Sequence, residues 1–294
     1  MDRLLSMELF VAVVDKGSFT AAAEAYRLSQ PMVGKHIAAL EARLGGKLLV
    51  RTTRRQQLTE LGALYFQRCK AILADIQSAE DGLAILQQQP RGHLRVNASV
   101  VFGACRLAPL LGEFMARYPD ISLQLSLEDE LVDPVIGGYD ALFRVGHLQD
   151  SSMVARPLQP YCFMIAASPD YLARRGVPQH PVDLADHDCL GFSNWRKGDG
   201  WEQLAHTYGA SPRVGRIDCN HGQALRELAL ASSGLVLLAE ALLRQDIATG
   251  RLVEVLPGFL PPPKPVHLLY FPDRHQLPKL RVFVDFIVER LGAL

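Results

Sequence analysis

The chain has 294 residues, 49% of them hydrophobic, and its 31 basic and 31 acidic side chains balance to no net charge. No apolar run approaches the roughly 18 residues of a membrane span, and the N-terminus reads as the first helix of a folded head rather than as a signal peptide. Five widely spaced cysteines, an odd number without a C-x-x-C, exclude a complete disulfide framework and suit a reducing cytoplasm, so a soluble cytoplasmic protein is expected.

The neutral total conceals an asymmetry. Residues 1–59 hold nine basic side chains against five acidic ones, an excess of four, so the remainder carries the opposite excess. A basic head on an acidic body is expected when one end meets nucleic acid.

In chain order, Ser18 caps a helix containing Ala21, Ala22, Ala23 and Ala25, whose small side chains allow another helix to approach closely. Ser29 caps the next helix, with Pro31 in its first turn. Val33, Ile37, Leu40 and Leu44 then form one buried stripe. At about 100° per residue, Pro31, Lys35, Ala38 and Ala42 fall on the opposite face, with Met32, Gly34 and His36 on the flanks. An outward face of small residues and one cation suits a helix that enters a major groove about 12 Å wide. An ordinary core helix with alanines outside is the other reading.

Leu48, Leu49 and Val50 next form a short strand, Arg51, Thr52, Thr53, Arg54 and Arg55 a basic tip, and Gln56, Gln57 and Leu58 the return toward Thr59. Such a wing is placed to grip phosphates or the minor groove. From Thr59 to Gln89, the residues Tyr65, Cys69, Ile72, Ile76, Ala79, Leu83 and Leu86 alternate at spacings of four and three, an a/d seam on which two helices pair. The other reading is a long helix packed on its own domain. Pro90, Arg91 and Gly92 end it and mark a linker.

The runs Gly17-Ser18-Phe19-Thr20-Ala21-Ala22-Ala23, Leu28-Ser29-Gln30-Pro31, Ile37-Ala38-Ala39-Leu40-Glu41, Leu44-Gly45 and Arg51 to Arg55 through Leu58-Thr59-Glu60-Leu61-Gly62 resemble, in order, the N-terminal domain of LysR-type transcriptional regulators. Gly34 departs from the family, many of whose members carry a serine there that can reach the DNA. The candidate DNA contacts are Ser29, Gln30, Pro31, Met32, Lys35 and His36 on the second helix and Arg51, Arg54 and Arg55 on the wing.

Beyond the linker, strands at Leu94–Ala98, Ser122–Leu127 and Ala141–Val145 alternate with helices at Cys105–Tyr118 and Leu131–Ile136, which implies a largely parallel sheet. The pattern repeats with strands at Cys162–Ala167, Cys189–Ser193, Val214–Cys219 and Leu235–Leu238 and a helix over Gln223–Ala231. A strand at Val266–Phe271 and a helix at Lys279–Leu291 close the chain. Two lobes around a cleft are the simplest arrangement. Leu107-Ala108-Pro109-Leu110-Leu111, Tyr118-Pro119, Tyr139 to Gly146, Ser151 to Arg156 and Ala167-Ser168-Pro169 resemble the LysR-type effector domain, itself similar to periplasmic solute-binding proteins.

The expected fold class is therefore α/β: a winged helix-turn-helix over 1–59, a linker and dimerisation helix over 60–89, and a two-lobed, periplasmic-binding-protein-like type II effector domain over 90–294. Its lobes are 90–162 with 266–294, and 163–265. Two turns, Asn97 to Val101 and Asn220-His221-Gly222, precede helices and offer free N–H groups with a side-chain donor, a combination that binds carboxylates. The resemblance puts both at the cleft with Phe192 and Arg144 nearby, so the candidate effector contacts are Ser99, Val100, Arg144, Phe192, Asn220 and His221. The other reading is that Ser99 and Asn220 only cap helices and Arg144 pairs with an acid of the fold.

His180, His187, His206 and His221 show no zinc spacing. A phosphate loop, a G-x-S-x-G and a dinucleotide fingerprint are equally missing, so no catalytic residue, metal or cofactor is expected, while a redox-sensing cysteine pair stays open. The expected function is a transcriptional regulator, not an enzyme, that binds double-stranded promoter DNA as a homodimer through the linker helix. The resemblance implies homotetramers. A small anionic organic effector would change the promoter contacts, and no membrane is involved. The alternative is a solute-binding or enzymatic α/β domain with an accessory helical head.

Overall fold

The computed structural model of the chain describes residues 2–51, 56–85, 89–129, 137–148 and 150–293, with backbone only at 51, 56, 74 and 77–85. The expected wing tip, including Arg54 and Arg55, and the expected helix at 131–136 lie outside the described residues. The chain divides into two compact units, one founded on Met1–Gln89, the other on Pro90–Leu131 and Asp140–Leu294.

The first unit holds α1 (Arg3–Asp15), α2 (Phe19–Ala25), α3 (Gln30–Leu44), the antiparallel pair β1 (Leu49–Arg51) and β2 (Gln56–Leu58), and α4 (Glu60–Ile85). Asp2 starts α1 by accepting the Leu4 N–H at 2.9 Å, and Ser18 starts α2 by accepting that of Ala21 at 3.0 Å. Ala22 and Ala23 are buried, so α2 sits close against its neighbours in a core with Leu9, Phe10, Val33, Ile37 and Leu40. The fourth residue of the expected α3 stripe departs: Leu44, in the last turn before left-handed Gly45, is 37% exposed.

The expected seam on α4 departs at its first two positions, while the side chains of Ala79, Leu83 and Leu86 lie outside the described residues. Cys69 is fully buried and Tyr65 packs its ring 5.9 Å from that of Phe10, so these two positions belong to the core of the head. Among the described side chains of α4, Leu61, Leu64 and Ile72 are the large apolar ones left exposed, and at about 100° per residue they share one face. The start of α4 is also where the wing is fastened. Thr59 donates its hydroxyl to the Lys47 carbonyl at 2.6 Å and accepts the Gly62 N–H at 2.8 Å.

In the second unit β3 (Gly92–Ala98) leads through α5 (Val100–Phe102) and a π turn at Gly103–Leu107 into α6 (Ala108–Arg117), so this helix starts earlier than expected. Then come β4 (Ile121–Leu127), β5 (Ala141–Val145), β6 (Val154–Tyr161), β7 (Phe163–Ala167), α7 (Pro169–Arg175), β8 (Asp188–Phe192), α8 (Trp201–Tyr208), β9 (Arg213–Cys219) and α9 (Gly222–Leu230). β10 (Val236–Ala239), α10 (Glu240–Ala248), β11 (Val253–Val255), β12 (Lys264–Tyr270) and α11 (Pro278–Leu291) complete it.

One sheet has the order β4-β3-β5-β12-β6, covered by α6 and α11 through rings such as Phe114 and Phe283, 5.2 Å apart. The other is β10-β7-β11, which β8 and β9 extend through a bridge from Cys189 to Leu235. The sheets are mixed, not largely parallel. β3 is parallel to β4 and β5, but β12 is antiparallel to both β5 and β6, and β7 to β10 and β11, because strands that carry the chain between sheets or back again run against their neighbours.

Gly62 is a point of close approach, since a Cβ there would lie 2.0 Å from the backbone oxygen of Leu48. Gly62→Ala is therefore expected to destabilise the head by about 1–3 kcal/mol, the usual cost of overpacking against atoms that cannot swing aside. Urea unfolding followed by circular dichroism measures it, and an unchanged midpoint would contradict the close approach.

Candidate functional site

The face of α3 opposite its buried stripe is open. Gln30, Pro31, Met32, Lys35, Ala38 and Ala42 are all exposed, and a Cβ built on Gly34 would meet nothing within 4 Å. Ser29 stands at the N-cap and its carbonyl accepts from Met32 and Val33, but its hydroxyl makes no capping bond. One of the two N–H groups such a hydroxyl usually takes is absent, because Pro31 occupies that position. The hydroxyl thus stands at the exposed helix N-terminus beside Gln30 and Lys35.

His36 is corrected. It is 5% exposed and its Nδ1 lies 2.9 Å from the Ser6 hydroxyl in the contact between α1 and α3. A position on the flank of a helical wheel turns inward when a neighbouring helix crosses over it, and the polar partner on α1 makes that burial affordable. Arg51 is the last residue of β1, paired with Gln56.

A residue that sequence reasoning passed over holds this surface together. Glu41, in the last turn of α3, accepts from Lys47 Nζ at 2.7 Å and from the backbone N–H of Leu48 at 3.0 Å. It thereby ties the helix to the first strand of the wing. Burial by itself would raise the Glu41 carboxyl, but the bonds from Lys47, Leu48 and Leu49 outweigh it and hold the carboxyl below its ordinary value.

The second candidate site is a cavity of about 260 Å³ between the two sheets of the second unit. One wall comes from Ser99, Val101, Phe143, Arg144, Tyr161 and Lys264, and the facing wall from Phe163, Phe192, Asn194, Trp195 and Gly222. Of the six expected effector residues, Ser99, Arg144 and Phe192 line it. Val100, Asn220 and His221 do not; their neighbours Val101 and Gly222 take those places.

The first turn is also not free. Asp129 accepts the Val100 N–H at 3.0 Å through one carboxylate oxygen and the Asn194 amide at 3.2 Å through the other, so the chain supplies its own anion to this helix N-terminus. In the second turn the Asn220 carbonyl accepts from the same Asn194 amide at 2.9 Å. Arg144 donates to Asn97 Oδ1 at 2.7 Å, and Asn97, fully buried, reaches Glu128 at 3.4 Å. The Asn97 amide therefore helps to position the guanidinium. Lys264 pairs with Asp199 at 2.5 Å and lies 4.8 Å from the centre of the Trp195 ring. Asn97 fell in a turn marked in the sequence without being counted as a contact, whereas Asp129, Asn194 and Trp195 carried no motif of their own. Only their places after the C-terminal ends of strands could have marked them.

Among the described residues no group of histidine, cysteine and acidic side chains could hold a metal ion, and no helix is long and apolar enough to cross a membrane. Burial pushes the Cys69 thiol up to about 11 and the Cys189 thiol up to about 12, which leaves both poor nucleophiles.

A family model for a LysR substrate binding domain matches residues 87–292, and one for a bacterial regulatory helix-turn-helix protein of the lysR family matches residues 4–63. The chain is similar to the HTH-type transcriptional regulator CrgA of Neisseria meningitidis, 37% identical over 290 residues that cover 97% of this chain and 96% of the relative. The solved structure of CrgA superposes with a TM-score of 0.63 over 98% of both chains. That of the full-length Vibrio cholerae virulence activator AphB, 27% identical, gives 0.65 over 98% of this chain and 99% of the other.

The Glu41 tether has a pH signature. Its carboxyl is lowered on folding, so its contribution is present above the unfolded carboxylate range and is lost as pH falls through the folded value. Glu41→Gln is expected to lower stability at pH 7 and to flatten the acid limb of the stability curve of the head. Denaturant midpoints measured between pH 7 and pH 3 check this, and an acid limb unchanged by the substitution would count against the tether.

Proposed function

The chain belongs to the LysR family of bacterial transcriptional regulators, and on that premise we propose that it reads promoter DNA through α3 and the wing and changes those contacts when a small organic anion enters the cleft. Its relatives are named transcriptional regulators, activators or repressors, so the solute-binding or enzymatic alternative is set aside. The observation that carries the proposal is the open, small-residue face of α3 in a chain whose other unit holds a cleft lined by aromatic rings and by charged groups of both signs.

We assign 1–59 to DNA binding, 60–89 to the linker and 90–294 to the effector domain. Ser29, Gln30, Pro31, Met32 and Lys35 face the major groove, and Arg51, Arg54 and Arg55 grip backbone. His36 drops out because it is buried. The protein pairs through α4, for which the exposed Leu61, Leu64 and Ile72 supply an apolar face, and two pairs form a tetramer. It works where promoter DNA lies, in the cytoplasm.

For the effector, Arg144 and Arg196 supply the cationic end of the cleft and Phe143, Phe163, Phe192 and Trp195 its apolar walls. Asp129 already fills the helix N-terminus, so the carboxylate of the ligand is met by guanidinium groups rather than by the Val100 N–H. That favours an anion with an aromatic or apolar body.

Two outcomes follow for DNA. Arg54→Ala is expected to weaken all sequences alike and to shallow the salt dependence by about one phosphate, whereas Lys35→Ala should also erode discrimination between operator and random DNA. Fluorescence anisotropy across salt concentrations separates them, and equal loss on both DNAs for Lys35→Ala would remove it from base reading.

For the cleft, Arg144→Gln is expected to weaken a carboxylate effector by about 1.5–3 kcal/mol, the worth of a charge-assisted hydrogen bond, and to spare effector-free operator binding. Asn220→Ala should leave effector affinity within about twofold, or roughly 0.4 kcal/mol. Calorimetric titration with a ligand found by thermal-shift screening decides, and the reverse order of effects would refute the assignment.

A further inference from the structure

A second cavity, of about 470 Å³, opens in the lobe that carries β7 and shares no lining residue with the cleft. Its charged lining is Arg174 and Arg175 from the end of α7, Arg216 from β9, and a single acid, Asp188, at the start of β8. Asp188 is the hub. Its carboxylate, 9% exposed, meets Arg175 at 2.9 Å and Arg216 at 3.5 Å, with Arg213 at 4.0 Å.

A regular strand could not bring Arg213 and Arg216 to one acid, because residues three apart point to opposite faces. β9 is not regular. Its register with β8 jumps between Cys189 and Gly191, and Gly215 in the extra stretch has a φ of 112°, which a side chain rarely permits. The bulge re-aims Arg216 to the side of Arg213, a use to which bulges beside functional sites are commonly put. Burial would raise the Asp188 carboxyl, but the bonds from Arg175 and Arg216 outweigh it and hold it low, so it stays charged.

The cavity is thus over-supplied with positive charge. Three lining guanidinium groups against one carboxylate leave an excess of two. Arg175 spends one nitrogen on Asp188, and Arg174 one on the Ser232 carbonyl at 3.0 Å. Each guanidinium carries five N–H groups, so most of these donors remain for a ligand while the anchored nitrogens fix their direction. Ser232 and Ser233 form the opposite wall, and Ser232 is held at a φ of 62°, with its hydroxyl accepting from Ser168 at 2.8 Å and its own proton available.

We propose that this cavity is a second ligand site that takes a phosphate group, free or carried by a small phosphomonoester. A phosphate brings roughly −1.5 to −2 charges at pH 7 and three acceptor oxygens, which matches the excess of two and the converging forks. A monocarboxylate would leave one charge over. The volume admits a body of a few carbons beside the phosphate.

The test uses the full-length chain, with its melting temperature followed at constant ionic strength as inorganic phosphate replaces chloride, and in parallel as glycerol 3-phosphate replaces glycerol. Saturable stabilisation by either phosphate, but not by chloride or glycerol, is expected. The stronger of the two identifies the free ion or the ester as the source. Arg216→Gln should raise the half-saturating concentration about tenfold, the loss expected for one charge-assisted hydrogen bond. Arg244→Gln, an exposed α10 arginine paired with Glu240 and outside the cavity, should leave it unchanged. If circular dichroism shows that Arg216→Gln does not fold, Arg174→Gln, whose guanidinium holds Ser232 rather than Asp188, carries the same expectation. Stabilisation that survives in both variants would place the anion on the basic head and overturn the proposal, and so would the failure of both phosphates to stabilise the chain.

Discussion

The effector unit depends on one constraint, that the chain passes between its two sheets twice at the same place. Tyr161, the last residue of β6, lies opposite Lys264, the first residue of β12, in an antiparallel ladder, and one residue after Tyr161 the second sheet begins at Phe163. Because outgoing and returning strands are hydrogen-bonded neighbours, the lobes are joined by a narrow two-stranded strap. Everything on either side of that strap is a sheet with its own core, one around Phe114, Phe143 and Phe283, the other around Phe163, Trp201 and Leu237. Two sheets joined by one short strap have the layout of hinge-connected lobes.

That placement also explains the composition of the cleft. Tyr161, Phe163 and Lys264 line it because they are the crossing residues, and the remaining lining follows the C-terminal ends of strands, where α/β sheets leave a crevice. Tyr161 is buried deeply enough to raise its hydroxyl above the ordinary value, so it stays a neutral hydrogen-bonding group. Two of the charged members are tied to neighbours, Arg144 to Asn97 and Lys264 to Asp199.

Much of this was legible in the amino-acid order, and what was not has physical causes. The α3 stripe showed itself because one buried face imposes a repeat, and the strand at Ala141–Val145 because its start, buried on both faces, is a continuous apolar run. β6 did not. It contains Pro157 and Pro160, which argue against a strand, but it is the edge of its sheet, where a missing N–H is tolerated. The a/d pattern along α4 was real in spacing but shared between two destinations, since Cys69 is claimed by the core of the head while Ile72 is left outside. Periodicity reports that a residue is wanted inside something and not inside what. His36 shows the same limit, for the wheel placed it on a flank and the Ser6 hydroxyl across the helix contact decided its burial. A site residue that escaped, Asp129, acts through partners about thirty or more positions away, Val100 and Asn194.

The recognition helix carries a conflict of its own. A face of small residues that lets a backbone approach DNA is a face without side-chain packing, and Gly34 within it costs about 1 kcal/mol of helix propensity relative to alanine. Ser29 adds no capping bond to offset that cost. The helix is therefore held from its other side and its other end, by Val33, Ile37 and Leu40 in the core and by the Glu41 carboxylate on the first strand of the wing. Since Glu41 binds Lys47 and the backbone leading into β1, the end of α3 and the first strand of the wing are tied to one another. On the proposed function, sequence reading falls to the few outward side chains near the N-terminus, chiefly Gln30, Met32 and Lys35, and Gly34 leaves open space among them where a larger residue would stand.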